Sequence, residues 1–423
     1  MLGLHSDSPN MQIPSLRISY RQILVLIAAT LVLLVSNGLA IGGLSVFFKD
    51  IQADLVATGA VSSSEIQSRF SLGPALTIFL AGFLAPVGGN LLRAIGVRKV
   101  MLIGWALLTC AFLIYSQSTT IETIYLAHSI LGISLCFCGV VPTSTLVAEW
   151  FPTFRGTAMG IALTGTNLGT MVIPMVAVPL IERYHWRSGM LLTGLVFVTG
   201  LLLLVLTTVR SVSEIPSQSA GDVSAVPKSS LTQSLLSRNF LLLATCAALL
   251  FYSIFAVLQL FVLFLRTDTF GYTLAETAGF LFLLSVSTIA GKFLFGLVSD
   301  RLGSASMLVV CIALMAMGTL RLWEPESSTV PTFTVLFGAG YGGAFVMLQR
   351  MVADLFGKDE YPRILSGLHF IQTIGGAIGL LTTGYVADLN AGDFVPAFRL
   401  LIPVTTGALL CALALRVGLF LRR

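Results

Sequence analysis

The chain has 423 residues, of which 56% are hydrophobic and only 10% charged, with a mean hydropathy of +0.94. Soluble globular domains carry about 25% charged residues, so the composition excludes a water-soluble fold and predicts a polytopic, all-α membrane protein. The net charge of +5 is no nucleic-acid footprint, because its distribution follows membrane topology.

The first twenty residues are polar and contain Ser and Pro, which suits a loose cytoplasmic arm (1–20). An apolar stretch of about 20 residues crosses the hydrocarbon core, and by that rule twelve spans are expected. The first six run near Ile23–Phe48, Leu72–Leu92, Val100–Tyr115, Thr123–Leu146, Thr157–Ile181 and Met190–Val209. The second six run near Phe240–Leu265, Ala278–Val298, Met307–Leu320, Pro331–Met351, Leu365–Ala387 and Phe394–Leu419. Span 1 is too long for a cleaved signal peptide and lacks a small-residue cleavage site, so it is expected to remain as a helix. Between the sixes lies "RSVSEIPSQSAGDVSAVPKSSLTQSLLSRN", Arg210 to Asn239, whose Ser, Gly and Pro content suits a flexible linker. The expected organisation is a six-helix bundle over 21–209, the linker at 210–239, and a second bundle over 240–423.

Placing both termini in the cytoplasm gathers sixteen Lys and Arg, Arg350 among them, on the inner side. The outer segments then hold only Lys49, Arg69, Arg183, Arg187, Arg266, Arg321 and Arg399. This positive-inside bias predicts the orientation, and the cell (plasma or inner) membrane is the expected location. All six cysteines fall in spans, which favours core packing over disulfides. Cys136 and Cys138, two apart on a helix, point to different faces and make a poor metal clamp.

The halves are related in sequence. "GNLLRAIG" (Gly89–Gly96) parallels "GLVSDRLG" (Gly296–Gly303), and "VAEWF" (Val147–Phe151) parallels "VADLF" (Val352–Phe356). Each pair follows an equivalent span of its half. Two parallel repeats place a substrate site near the midplane, where the halves face each other.

Lys292 stands in an otherwise lipid-compatible span, where a charge costs about 2.5–3.5 kcal/mol on insertion scales. Ser285, Thr288, Gly296 and Ser299 share its helix face, while Leu283, Leu284, Ile289, Phe293, Leu294 and Leu297 lie on the other faces. A snorkelling lysine has no need of a polar stripe, so Lys292 is expected to face a central site. Asn37, Asn167, Tyr252 and Tyr341 are further polar groups at midplane depth, with interhelical hydrogen bonding as the bland alternative for each. His369 and Gln372 lie a little inward, and His369 is the best candidate for a proton relay. His128, near the outer end of span 4, is expected to be interfacial.

"GLVSDRLG" has the G-x-x-x-D-R-x-G pattern and resembles the signature loop of the major facilitator superfamily. That resemblance implies two pseudo-symmetric six-helix bundles and a gating role for Asp300 and Arg301. The first-half loop departs from the pattern, with Arg93 where the acid is expected. "GGLSVFFKDIQADL" (Gly42–Leu55) with "SSSEIQSRFSLGPAL" resembles the monocarboxylate and oxalate/formate transporters. "EWFPTFRGTAMGIALTGTNLG" (Glu149–Gly169) and "HWRSGM" (His185–Met190) do so as well. The family places a carboxylate-binding cation in helix 8, a position that Lys292 matches. Thr288 stands where many of its members carry a proton-coupling Asp, and no Lys or Arg occupies the interior of helix 11.

The expectation is therefore a secondary transporter of a small, monocarboxylate-like organic anion working by alternating access as a monomer. A proton is a candidate second cargo, with symport in question. The same-fold alternative is an exporter of an amphipathic drug or metabolite. No cofactor, metal or nucleic-acid partner is implied. No Walker sequence, His cluster or catalytic triad supports a pump or an enzyme, and no segment leaves room for a sensor's output domain.

Overall fold

Glycine and capping residues punctuate this chain where its apolar runs stop. The computed structural model describes residues 19–151, 155–208 and 236–420, and they contain helices but no strand. Most of the expected arm and linker lies outside the described residues. Helix α1 spans Tyr20–Ala57, and α2 comprises Ile66–Phe83 and Ala85–Ile95. Next come α3 (Val97–Ser116) and α4 (Ile121–Trp150), followed by Arg155–Thr208, which breaks at His185 into α5 (155–184) and α6 (186–208). The second half has α7 (Arg238–Leu265), α8 (Leu274–Leu302) and α9 (Ser304–Leu320). Thr329–Leu389 breaks at Gly357 into α10 (329–356) and α11 (358–389), and α12 comprises Val395–Arg399 and Leu401–Phe420.

Nine described segments are long and apolar enough to cross a membrane. One of them, Ala158–Gly200, holds both α5 and α6. Helix α2, divided at Leu84, and α9, with only 17 residues, stand outside the nine. The described residues therefore hold twelve helices, one for each span that hydropathy predicts.

The ends follow from local chemistry. Ser19, Thr120 and Thr273 form capping boxes at the starts of α1, α4 and α8. Gly96 and Gly303 end α2 and α8 with φ of 83° and 80°, left-handed values that cost a residue bearing a Cβ. These are the last glycines of the two repeated octapeptides, so the sequence repeat is also a structural one. At the α5–α6 turn the left-handed residue is His185, φ 64°, a strained choice for a non-glycine.

Helices α1–α6 and α7–α12 form two six-helix bundles. They meet through α2 against α11, α5 against α8, and α1 against α7. We call the two ends of the molecule the termini end, which carries the turns at Gly96, Gly303 and Gly357, and the far end. Span 1 runs further than predicted. It continues through a π-turn (Gly38–Gly42) and a 3-10 turn (Gly43–Phe47) into Phe48–Ala57. Glycines bring it against α5, since a Cβ on Gly38 would collide with Gly169 and one on Gly42 with Thr170.

Small-residue packing of α5 occurs at Gly165 and Gly169, which meet the backbones of Thr30 and Leu34, but not at Gly160, which faces open space. Gly156 lies among residues whose side-chain surroundings are not described. In α11, Gly375, Gly376 and Gly379 all press on α7.

Candidate functional site

The polar stripe of α8 turns inward. Ser285, Thr288 and Ser299 are buried, whereas on the other faces Phe293, Leu294 and Leu297 are exposed, Leu297 by 72%, Leu283 and Ile289 are half-buried, and Leu284, against the expectation, is buried. Such a division separates a lipid-facing surface from a protein-facing one. Part of the stripe serves packing within its own half. A Cβ on Gly342 of α10 would meet the carbonyl oxygen of Thr288, and one on Gly291 that of Ala339. The hydroxyls of Thr288 and Ser299 return to their own helix, bonding Leu284 O and Gly296 O at 2.7 Å each.

Lys292 is the exception, because its side chain crosses to the other bundle. Nζ donates to Oδ1 of Asn167 in α5 at 2.5 Å. Asn167 is buried and also interacts with the hydroxyl of Tyr341 in α10. The ring face of Phe345, one turn beyond Tyr341, covers the ammonium with Nζ 5.1 Å from the ring centroid. That cation–π contact and one neutral amide are the ammonium's partners. Among the described residues no Asp or Glu forms an ion pair with it. An ammonium has three donors, so Lys292 retains capacity for an anion.

The structure thus brings together three of the predicted residues, Lys292, Asn167 and Tyr341. The others pair elsewhere. Tyr252 of α7 accepts a hydrogen bond from Thr382 of α11 at 2.5 Å. His369 Nδ1 lies 2.7 Å from Gln372 Oε1 on the same helix. Asn37 donates to its neighbour Ser36 at 3.3 Å, at the start of the π-turn in α1. Phe345 escaped the sequence reading, although its place four residues after Tyr341 puts it on the same helical face.

His128 is not interfacial. It is fully buried inside the first bundle, with Nδ1 2.8 Å from Thr77 Oγ1 and Nε2 3.0 Å from Tyr115 Oη. Partners on α2 and α3 satisfy both ring nitrogens. Cys136, Cys138, Cys246 and Cys311 are buried free thiols, in keeping with core packing, whereas Cys411 is half-buried and Cys110 is exposed, against that expectation.

At the termini end, Asp300 pairs with Arg350 of α10 at 2.5 Å, and Arg350 also bonds Ser299 Oγ at 2.7 Å. Asp354, the acid of "VADLF", lies 4.0 Å from Arg350 and accepts from Ser304 Oγ at 2.5 Å. Arg350, read from sequence only as a topology charge, is the partner that Asp300 uses. Arg301 is exposed beside it at the end of α8.

At the far end, "HWRSGM" clamps the first bundle. Asp54 accepts from Trp186 Nε1 at 2.8 Å and pairs with Arg187, whose Nη2 donates to Ser118 O at 3.0 Å.

Comparison with known proteins decides the family. The sequence model described as Major Facilitator Superfamily matches residues 30–323 and 267–420. The chain belongs to that superfamily. Among its relatives is Monocarboxylate transporter 12 of Mus musculus, 26% identical over 354 residues that cover 75% of this chain and 71% of that protein. Monocarboxylate transporter 13 of Rattus norvegicus is 24% identical over 351 residues, covering 82% of this chain and 79% of that protein. The uncharacterized transporter ESBP6 of Saccharomyces cerevisiae is 26% identical over 301 residues, 69% of this chain but only 44% of that protein's length. A similar solved structure is the bacterial homolog to the human lysosomal transporter Spinster, inward-facing and unoccupied. Its TM-score is 0.69 at 15% identity, with 95% of this chain and 96% of that chain covered. This major facilitator is a membrane transporter, not an enzyme, and is related to the monocarboxylate transporters.

Proposed function

We propose that this transporter carries a small, monocarboxylate-like organic anion by alternating access, with Lys292 as the counter-charge of the carboxylate. The observation that carries the reading is the contact between Lys292 and Asn167. A half-buried cation spans the two bundles on a neutral partner, and an arriving carboxylate gives it a charged one. Charge-assisted hydrogen bonds are roughly twice as strong as neutral ones. The names of the relatives support the substrate class. Asn167 and Tyr341 act with Lys292, while Tyr252, Asn37 and Gln372 serve the helices around them. Asp300 and Arg301 belong to the gate.

In this reading the repeats are two rocking units, 21–209 and 240–423, joined by the linker at 210–239. Both termini face the cytoplasm, as the charge bias predicts, and one chain suffices for transport. Thr288 removes the usual carboxylate route for a proton. His369, paired with Gln372, is the group left to couple one.

The test is uptake of labelled carboxylates into proteoliposomes, with and without a pH gradient. Carboxylates should compete and their methyl esters should not. A hydrogen bond to a charged group contributes about 1.5–3 kcal/mol, so Lys292→Met should weaken carboxylate binding roughly 10- to 150-fold. Lys292→Arg should retain part of it, because charge survives while donor geometry changes. Parent-like carboxylate binding by Lys292→Met removes the lysine from the site. Equal competition by the methyl esters favours the amphipath exporter instead.

A further inference from the structure

Three phenylalanines lead away from Lys292. The ring of Phe345 covers the ammonium, with Nζ 5.1 Å from its centroid. Phe251 of α7 lies 6.3 Å from Phe345, and Phe255, one turn along, lies 5.8 Å from Phe251, centroid to centroid. Phe345 and Phe255 are half-buried and Phe251 is buried. Gly376 of α11 makes the room for Phe255, because a Cβ there would collide with its ring. An aromatic run therefore starts at the site's cation and ends at the contact between α7 and α11.

Electrostatics decide how an anion sits here. An aromatic ring has a negative face and a positive edge, so a carboxylate is repelled from the face that Phe345 turns to Lys292. It docks beside the ammonium instead, off that face and toward the amide NH2 of Asn167 and the hydroxyl of Tyr341. The rest of the ligand then borders the rings. A short hydroxy acid offers them nothing to bury. A second carboxylate would meet π-faces, and no second cation stands beside Phe345, Phe251 or Phe255 in any described contact.

We infer that the substrate is a monocarboxylate with an apolar tail, aryl or branched alkyl, a few carbons from the carboxyl group, and that Phe345, Phe251 and Phe255 form the subsite for that tail. The inference rests on Lys292 being the carboxylate's counter-charge and names the substrate class for that site. Phe345 is its specificity-determining residue.

The experiment measures binding of four probes to purified, full-length protein: acetate, hydrocinnamate, hydrocinnamamide and succinate. Burying the apolar phenylethyl group should make hydrocinnamate bind about 10- to 100-fold tighter than acetate. Succinate and the amide should both bind weakly. Phe345→Ala should collapse the ratio of the two affinities, bringing hydrocinnamate within a few-fold of acetate in the same variant. Phe345→Tyr should keep the preference.

The failures are distinguishable. Equal affinity for acetate and hydrocinnamate in the parent overturns the tail subsite and leaves the anion site standing. An undiminished preference in Phe345→Ala overturns the assignment to these rings. An amide that binds as tightly as its acid overturns the counter-charge reading underneath, and so does a parent that binds none of the acids. If Phe345→Ala does not fold, the parent's preference still decides, and Phe345→Leu replaces the alanine variant.

Discussion

The two ends of the molecule use charge differently. At the far end, polar contacts tie one bundle to the other. Asp388 of α11 accepts from the backbone N–H groups of Gln67 and Ser68, at 2.9 and 2.7 Å, and so caps the first turn of α2 from across the interface. Beside it Asp50 pairs with Arg266 at 3.6 Å, and Lys49 Nζ donates to Arg266 O at 2.5 Å, joining α1 to α7. At the termini end, the pairs among Asp300, Arg350, Asp354 and Ser304 all lie within the second bundle. One set of charges holds the halves together, and the other stiffens a single half. Among the described residues the clamp between the halves is at the far end, and in the proposed alternating-access cycle opening that end breaks the first set and can leave the second intact.

The largest expected effect comes from making the clamp permanent. A Gln67→Cys/Asp388→Cys pair, bridged by a short cleavable thiol reagent, should reduce transport to background. Reducing the bridge should restore it. Transport that survives the bridge would mean that the far end does not open in the cycle.

Removing the cap has a smaller effect. Loss of a capping side chain costs about 0.5–2 kcal/mol, and Asp388→Asn loses the charge but keeps an acceptor. The far-end-open state should gain roughly 2- to 30-fold in population. Ser285, 1% exposed in the clamped conformer, reports on it as Ser285→Cys. Its labelling from the far side should speed up in the Asp388→Asn background. An unchanged rate would show that Asp388 only caps.

Local chemistry made the helices legible in sequence, and partnership was not. Gly96 and Gly303 announced themselves by spacing and proved to be matching left-handed ends. Lys292 stood out because a charge among leucines has few explanations, and its stripe gave the direction it faces. Its partner Asn167 lies 125 positions away, and no periodicity links the two. The same gap explains the misreading of His128, whose partners Thr77 and Tyr115 come from two other helices. Arg350 looked like an orientation charge because positive-inside statistics account for a basic residue without asking what it touches. Asp388 gave no signal at all, since its ligands are backbone N–H groups that every sequence has. The π-turn at Gly38–Gly42 was hidden because its cause, the close approach of Gly169 and Thr170, is tertiary.

The smallest effect should come from the termini end, although the signature loop lies there. The Asp300 side chain is 68% exposed and that of Arg350 35%, and exposed ion pairs contribute about 0–1 kcal/mol. Asp300→Asn leaves Arg350 with Ser299 and Asp354, so the second bundle should keep its shape. Carboxylate affinity should therefore hold, because Lys292 lies about two turns away along α8. Turnover should fall by no more than about five-fold, as expected for a pair of this strength. Measuring the two separately, by equilibrium binding and by initial uptake rate, gives the contrast with Asp388→Asn. A collapse of uptake in Asp300→Asn with unchanged binding would make the termini end the dominant gate, and Asp300 would then need a partner on the first bundle in the opposite conformer. An unchanged rate would assign the pair to holding α8 against α10.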